Sequence, residues 1–194
     1  MPVAKKYEFK PDKPRSGILS KLFLTKKQRR TLLKWTLYAL VLVVLSVVQD
    51  VFFSRVRLLG GTTELVPMGI FLICLTEGTE KGSVFALVAA FCYLFSGSAA
   101  GYHSVVFITA LAVAATAFRQ SYLQRSFSTF ALCGGLAMIF YEISVFLIAV
   151  FLGVARWSAF TGIMVTAIMT LPAMPLLYPL CLGISGNDQQ DFAS

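Results

Sequence analysis

With 194 residues that are 57% hydrophobic and 13% charged, and a mean hydropathy of +0.77, the chain carries more apolar side chain than a water-soluble domain hides. Its apolar residues come in long blocks without a polar face, and the net charge of +8 is concentrated near one end. This excludes an ordinary soluble fold and points to lipid as the solvent; the length accommodates about six spans of roughly 20 residues and little aqueous domain.

Residues 1–33 read as a basic tail. Eleven Lys and Arg side chains precede Trp35, against Glu8 and Asp12 only. Basic residues beside a first span resist translocation, so this end is expected in the cytoplasm, where it also attracts anionic lipids. A nucleic-acid partner is not expected, because no base-reading motif accompanies the charge. Pro2, Pro11 and Pro14 discourage regular structure, whereas Ile18, Leu19, Leu22 and Phe23 recur at helical spacing and suit a short helix lying on the membrane surface. Trp35 to Phe53 is too long for a signal core and lacks a small-residue cleavage site, so it reads as the first span.

After Arg55, Arg57 and a turn at Gly60 and Gly61 come two shorter apolar stretches, Leu65 to Thr76 and Ser83 to Phe95. Glu77 through Gly82 separates them. A single continuous span would bury Glu77, Glu80 and Lys81 in mid-membrane, which a hairpin avoids. Each arm is shorter than the hydrocarbon core, so both are expected either to be enclosed by neighbours or to be re-entrant. Ser96, Gly97, Ser98 and Gly101 then turn the chain into a fourth span, His103 to Phe118, followed by Arg119 and Arg125. A fifth runs from Phe127 to Leu152. The sixth, Phe160 to Leu182, contains Pro172, Pro175 and Pro179, which are expected to kink it.

This predicts an all-α integral membrane protein: a six-helix membrane domain over residues 34–183 and a short cytoplasmic tail at 184–194. Six spans with a cytoplasmic amino terminus place fourteen basic residues inside and three, Arg55, Arg57 and Arg156, outside. The asymmetry favours both termini in the cytoplasm. Gly78, Gly82 and Ala86, and Ala110, Ala114 and Phe118, recur every fourth position; such smooth faces suit close helix contact, internal or with a partner's helix.

Glu142 is the most informative single residue. It lies well inside the fifth span, where a lipid-facing carboxylate is costly, so it is expected to point into protein, with Gly135 and Ala149 sharing its stripe. Asp50 and Glu64 flank span ends and read as interface residues. His103 is the only histidine, and Ser96, Ser98 and Ser104 lie near it in sequence, yet the spacing gives no activated serine with base and oxyanion site. Cys74, Cys92, Cys133 and Cys181 sit apart inside apolar runs, with neither a zinc nor a disulfide pattern. No phosphate loop or His-Glu metal motif is present. The expectation is a protein without catalytic residues, metal or cofactor.

One stretch, from Gln49 to Phe107, carries a family pattern. A first span ends in Gln49; Leu59-Gly60-Gly61 and Glu64-Leu65 lead into the next; a helix opens at Gly82 and closes at Ser96-Gly97-Ser98-Ala99-Ala100-Gly101. This resembles the bacterial rod-shape-determining MreD family, with Tyr93 standing where many members carry Asp. The resemblance implies a non-enzymatic membrane scaffold of the cell-elongation machinery in the bacterial cytoplasmic membrane. It implies contact with an MreC-like bitopic protein and, indirectly, with MreB and with RodA and its transpeptidase, in support of peptidoglycan synthesis. The structural or partner-binding candidates are Glu142, from its depth in the fifth span, Asp50 and Glu64, from their places at span ends, and Gly82, Gly97 and Gly101, from the family pattern. The MreD fold is similar to the substrate-binding S-components of energy-coupling-factor vitamin transporters, which supplies the alternative function. For that alternative, Arg55, Arg57, His103 and Arg156 are the candidates for an outward cavity.

Overall fold

The structure, a computed structural model, describes residues 26–53, 61–123 and 126–186. The expected surface helix at Ile18–Phe23, the loop residues Arg55, Arg57 and Gly60, Arg125, and residues 187–194 lie outside the described residues. The described chain is all-α. Helix α1 spans Lys26–Val51, α2 Leu65–Glu77, α3 Thr79–Phe95, α4 His103–Tyr122 and α5 Phe127–Phe151. The sixth segment is interrupted: α6, Phe160–Thr170, and α7, Met174–Gly186, flank a 3-10 turn at Leu171–Ala173.

Among the described residues, four segments are long and apolar enough to cross a membrane: Gln28–Val51, His103–Tyr122, Phe127–Phe151 and the interrupted Trp157–Ser185. Their outward faces are apolar. Leu40, Val43, Val44 and Val47 of α1 and Leu132, Leu136 and Phe140 of α5 are all exposed, an arrangement suited to hydrocarbon. The interruption of the last segment follows from Pro172 and Pro175, which remove two backbone donors within one turn. Pro179 lies inside α7 without ending it.

Helix α2 is enclosed. Every residue from Leu65 to Thr76 is buried, with α3, α4, α5 and α7 packed around it. A helix that is apolar on all sides needs such a jacket. At 1.5 Å per residue it is about 20 Å long, less than a roughly 30 Å hydrocarbon core. Of the two arrangements expected for this stretch, enclosure by neighbours is the one found. Leu42 and Leu45 of α1 lie over Gly69, where an added Cβ would come 2.7 Å from Leu45 Cδ1 and 3.2 Å from Leu42 Cδ2.

The turn between α2 and α3 is tighter than the six-residue linker expected. Gly78 alone makes it, at φ +92°, and a Cβ there would also meet Gln120 Nε2 at 2.7 Å. Only glycine adopts that conformation without strain. Thr79, Glu80 and Lys81 therefore form the first turn of α3, with Glu80 and Lys81 exposed. Gly82, one turn on, lets the helices touch: its absent Cβ would lie 3.0 Å from the Cys74 Cα. The thiol of Cys74 donates to the Gly82 carbonyl at 3.1 Å.

The Glu77 end of the bundle is fastened by polar side chains. Lys34 Nζ lies 2.7 Å from Glu77 Oε2, with side chains 10% and 3% exposed respectively. The Tyr38 hydroxyl donates to Glu77 Oε1 at 2.6 Å, and the Cys181 carbonyl lies 3.4 Å from the same hydroxyl. Thr79 bonds Gln120 across α3 and α4, while the Arg119 guanidinium stacks 4.8 Å from the centre of the Phe130 ring. Lys34 and Glu77 neutralise each other where neither is well hydrated.

Candidate functional site

The opposite, Glu64 end holds the site. Gln49 stands in the last turn of α1, and its Oε1 accepts the backbone N–H of Val66 at 3.0 Å. That N–H belongs to the first turn of α2 and has no intrahelical partner, so the glutamine caps α2 from another helix. The Gln49 amide nitrogen faces the Tyr93 hydroxyl at 3.5 Å, and that hydroxyl donates to the Ser98 carbonyl at 3.2 Å. Ser98 in turn donates to the Asp50 carboxylate, 3.0 and 3.1 Å from its two oxygens. Gly97, at φ +77° with open space around it, permits the turn that brings Ser98 back over α1.

The extended segment before α2 is held by α6. Thr166 Oγ1 accepts from Thr62 N at 3.1 Å, and Thr170 Oγ1 accepts from Glu64 N at 3.2 Å. Gly61 admits this approach, since a Cβ there would lie 2.6 Å from the Gly162 carbonyl oxygen. Gln49, Asp50, Thr62, Thr63, Glu64, Gly97 and Ser98 together line a cleft of about 310 Å³. The lining carries two carboxylates and, among the described residues, no cationic side chain.

Behind the cleft, Glu64 reaches inward. Its Oε2 is shut off from solvent without a hydrogen-bond partner, beside the Tyr93 hydroxyl. It lies within electrostatic reach of Glu142 and Tyr141, both on α5. Glu142 is 4% exposed, so it points into protein as its depth requires, and its Oε1 has no hydrogen-bond partner. The hydroxyls of Tyr141 and Ser104 lie near each other, both buried, without forming a well-aligned bond. For Glu64, which precedes α2, burial raises the carboxyl to about 7, an effect the neighbouring Tyr93 partly opposes.

The structure thus brings Asp50, Glu64 and Gly97 together around one cleft, with Glu142 buried deeper, within electrostatic reach of Glu64. Asp50 is exposed, as an interface residue should be, whereas Glu64 turns inward instead of snorkelling. Gly101 belongs to the turn beneath His103, whose ring lies 2.8 Å from where a Cβ would stand. Gly82 sits elsewhere, at the α2–α3 contact. Arg156 is exposed, and the His103 Nε2 is buried. Sequence reasoning missed Tyr93, Tyr141, Thr166 and Thr170. The four-residue spacing of the two threonines was the available signal, since it puts both hydroxyls on one face of α6. Among the described residues no three His, Cys, Asp or Glu side chains gather as a metal-binding set.

Among the described residues, six helical segments, four of them long and apolar enough to cross a membrane, with an enclosed central helix and a buried Glu142, define a multi-pass α-helical membrane protein. No family model, no curated protein and no solved structure matches the chain.

Proposed function

We propose that this protein is a non-enzymatic scaffold of the bacterial cell-elongation machinery, of the MreD type. It crosses the cytoplasmic membrane six times with both termini inside, in a bundle like that of an S-component, and supports peptidoglycan synthesis and cell shape through protein contacts. The observation that carries the reading is a smooth helix face left open: Ala110, Ala114 and Phe118 of α4 are exposed. Beside them a groove lined by Leu111, Ala114, Ala115, Cys133, Leu136 and Ala137 runs between α4 and α5. Small side chains let a partner's backbone approach closely, the main source of attraction between helices in lipid. The other small-residue face, with Gly82 and Ala86, is used up internally. The resemblance over Gln49–Phe107 supplies the partner class, an MreC-like bitopic protein, with MreB and RodA and its transpeptidase further along the assembly. The basic tail supplies attraction to anionic lipids.

Affinity purification from native membranes tests this. Recovery of a single-span, coiled-coil partner with the wild type, lost on Ala114→Trp, supports the scaffold. Wild-type levels of recovery with Ala114→Trp overturn the groove as its contact surface. The polar cleft at Gln49 and Glu64 favours one second reading, a vitamin-binding S-component. Purification with a bound vitamin, together with an ATPase pair, replaces the scaffold with that reading.

A further inference from the structure

We propose that Glu64 and Glu142, with the hydroxyls of Tyr141 and Ser104, form a site for a monovalent hard cation of the sodium class, entered through the cleft at Gln49, Asp50 and Thr62.

The acidic pair alone does not make a site; the unmatched oxygens around it do. Glu64 Oε2, Glu142 Oε1, Tyr141 Oη and Ser104 Oγ are all shut off from solvent, and none has a hydrogen-bond partner. Glu142, Tyr141 and Ser104 are 4%, 1% and 0% exposed. Buried polar atoms are almost always satisfied, and an unpaired buried carboxylate is the costliest exception. Here four such atoms come from three places in the fold: the start of α2, the first turn of α4 and the middle of α5. Glu64 lies within electrostatic reach of Glu142 and Tyr141, and the Ser104 hydroxyl lies beside that of Tyr141, so the four groups are neighbours.

The donor chemistry selects the ion. All four atoms are oxygens, two of them carboxylate, with no thiolate or imidazole among them, and oxygen sets suit hard cations. Calcium takes about six to eight oxygen ligands and magnesium keeps several waters in an octahedron, more than four oxygens shut off from solvent supply. Asp50, the next carboxylate, is engaged by Ser98 at the rim. A single positive charge relieves the repulsion between Glu64 and Glu142 and draws on the hydroxyls as neutral ligands. Access follows from Glu64 itself, which lines the cleft while its Oε2 faces inward. Around Glu64 stand Gln49 and Asp50 of α1, which share its cleft, Tyr93 of α3 and, through the Glu64 backbone, Thr170 of α6; Ser104 of α4 lies beside Tyr141, next to Glu142. Among the described residues none of these groups is a cation.

The test is thermal unfolding of the full chain, purified in detergent, in sodium chloride against N-methylglucamine chloride at equal ionic strength. Sodium at a hundredfold excess over its dissociation constant is expected to raise the midpoint by about 5 °C. The rise shrinks on acidification as protons compete. Glu142→Gln and Glu64→Gln are each expected to abolish the sodium-specific rise while eluting as monodisperse species on gel filtration. No sodium-specific rise in the wild type, or an equal rise in a folded variant, overturns the site. Should both variants aggregate, calorimetric titration of the wild type with sodium decides: saturable heat supports the site and its absence overturns it. This outcome is independent of partner recovery, so the scaffold reading and the cation site stand or fall separately.

Discussion

Gln49 accepts the backbone N–H of Val66 through its side-chain oxygen, 3.0 Å away, so the end of one helix caps the start of another. Seventeen residues separate the two in sequence. Gln49→Leu leaves that buried donor unpaired and is expected to destabilise the protein by about 1–3 kcal/mol. Gln49→Glu keeps an acceptor in place and is expected to cost less when its carboxyl is protonated. Thermal unfolding in detergent at two pH values separates them.

Glu142 distinguishes burial in protein from exposure to lipid. Glu142→Gln retains hydrogen-bonding capacity without a charge and is expected to accumulate in membranes near wild-type levels. Glu142→Lys places a longer cation among Glu142's buried neighbours and is expected to reduce accumulation several-fold. Immunoblotting of membrane fractions checks both; equal levels of the two variants contradict the buried position.

At the other end, Glu77→Ala strips Lys34 and Tyr38 of a shared acceptor. Breaking a buried ion pair from one side costs about 3–5 kcal/mol, whereas replacing both partners by apolar residues is often neutral. The double variant Lys34→Met, Glu77→Leu is therefore expected to unfold at a higher temperature than Glu77→Ala.

Gly82→Val is expected to be among the most damaging substitutions of a small residue, because its Cβ would press on the Cys74 backbone and not on a flexible side chain. Overpacking of this kind costs about 1–3 kcal/mol. Gly183→Val, where a Cβ meets nothing within 4 Å, is the matched control.

Glu64 gives stability a pH dependence of known sign. Its carboxyl binds a proton more tightly in the folded chain, at about 7, than at the ordinary value of 4.5. Its contribution is thus complete below about 4.5 and is lost as pH rises toward 7. Midpoints measured in sodium-free buffer are expected to fall across that window, and to fall less in Glu64→Gln.

The helical segments were legible because each apolar block has its own length and its own polar boundary. The α2–α3 turn was not: Glu80 and Lys81 read as loop residues, yet they form the exposed side of a helix's first turn. Charge at a membrane boundary looks the same in either conformation. Glu142 was legible from depth alone, since carboxylates deep in a span must find protein. Its neighbour Glu64 was not, because nothing local in the sequence pairs residues 78 positions apart. The smooth faces show a similar limit. Four-residue spacing identified both, but whether a face meets its own chain, as Gly82 does, or stays open, as Ala114 does, depends on tertiary packing.

The enclosure of α2 bears on biogenesis. A thirteen-residue segment with Glu64 and Glu77 at its ends is poorly suited to leave a translocation channel alone as a finished span. Its lateral release becomes favourable only when α4, α5 and α7 have been synthesised to surround it. Insertion and tertiary assembly are then coupled late in translation, and a chain truncated before α7 would present this segment to quality-control proteases.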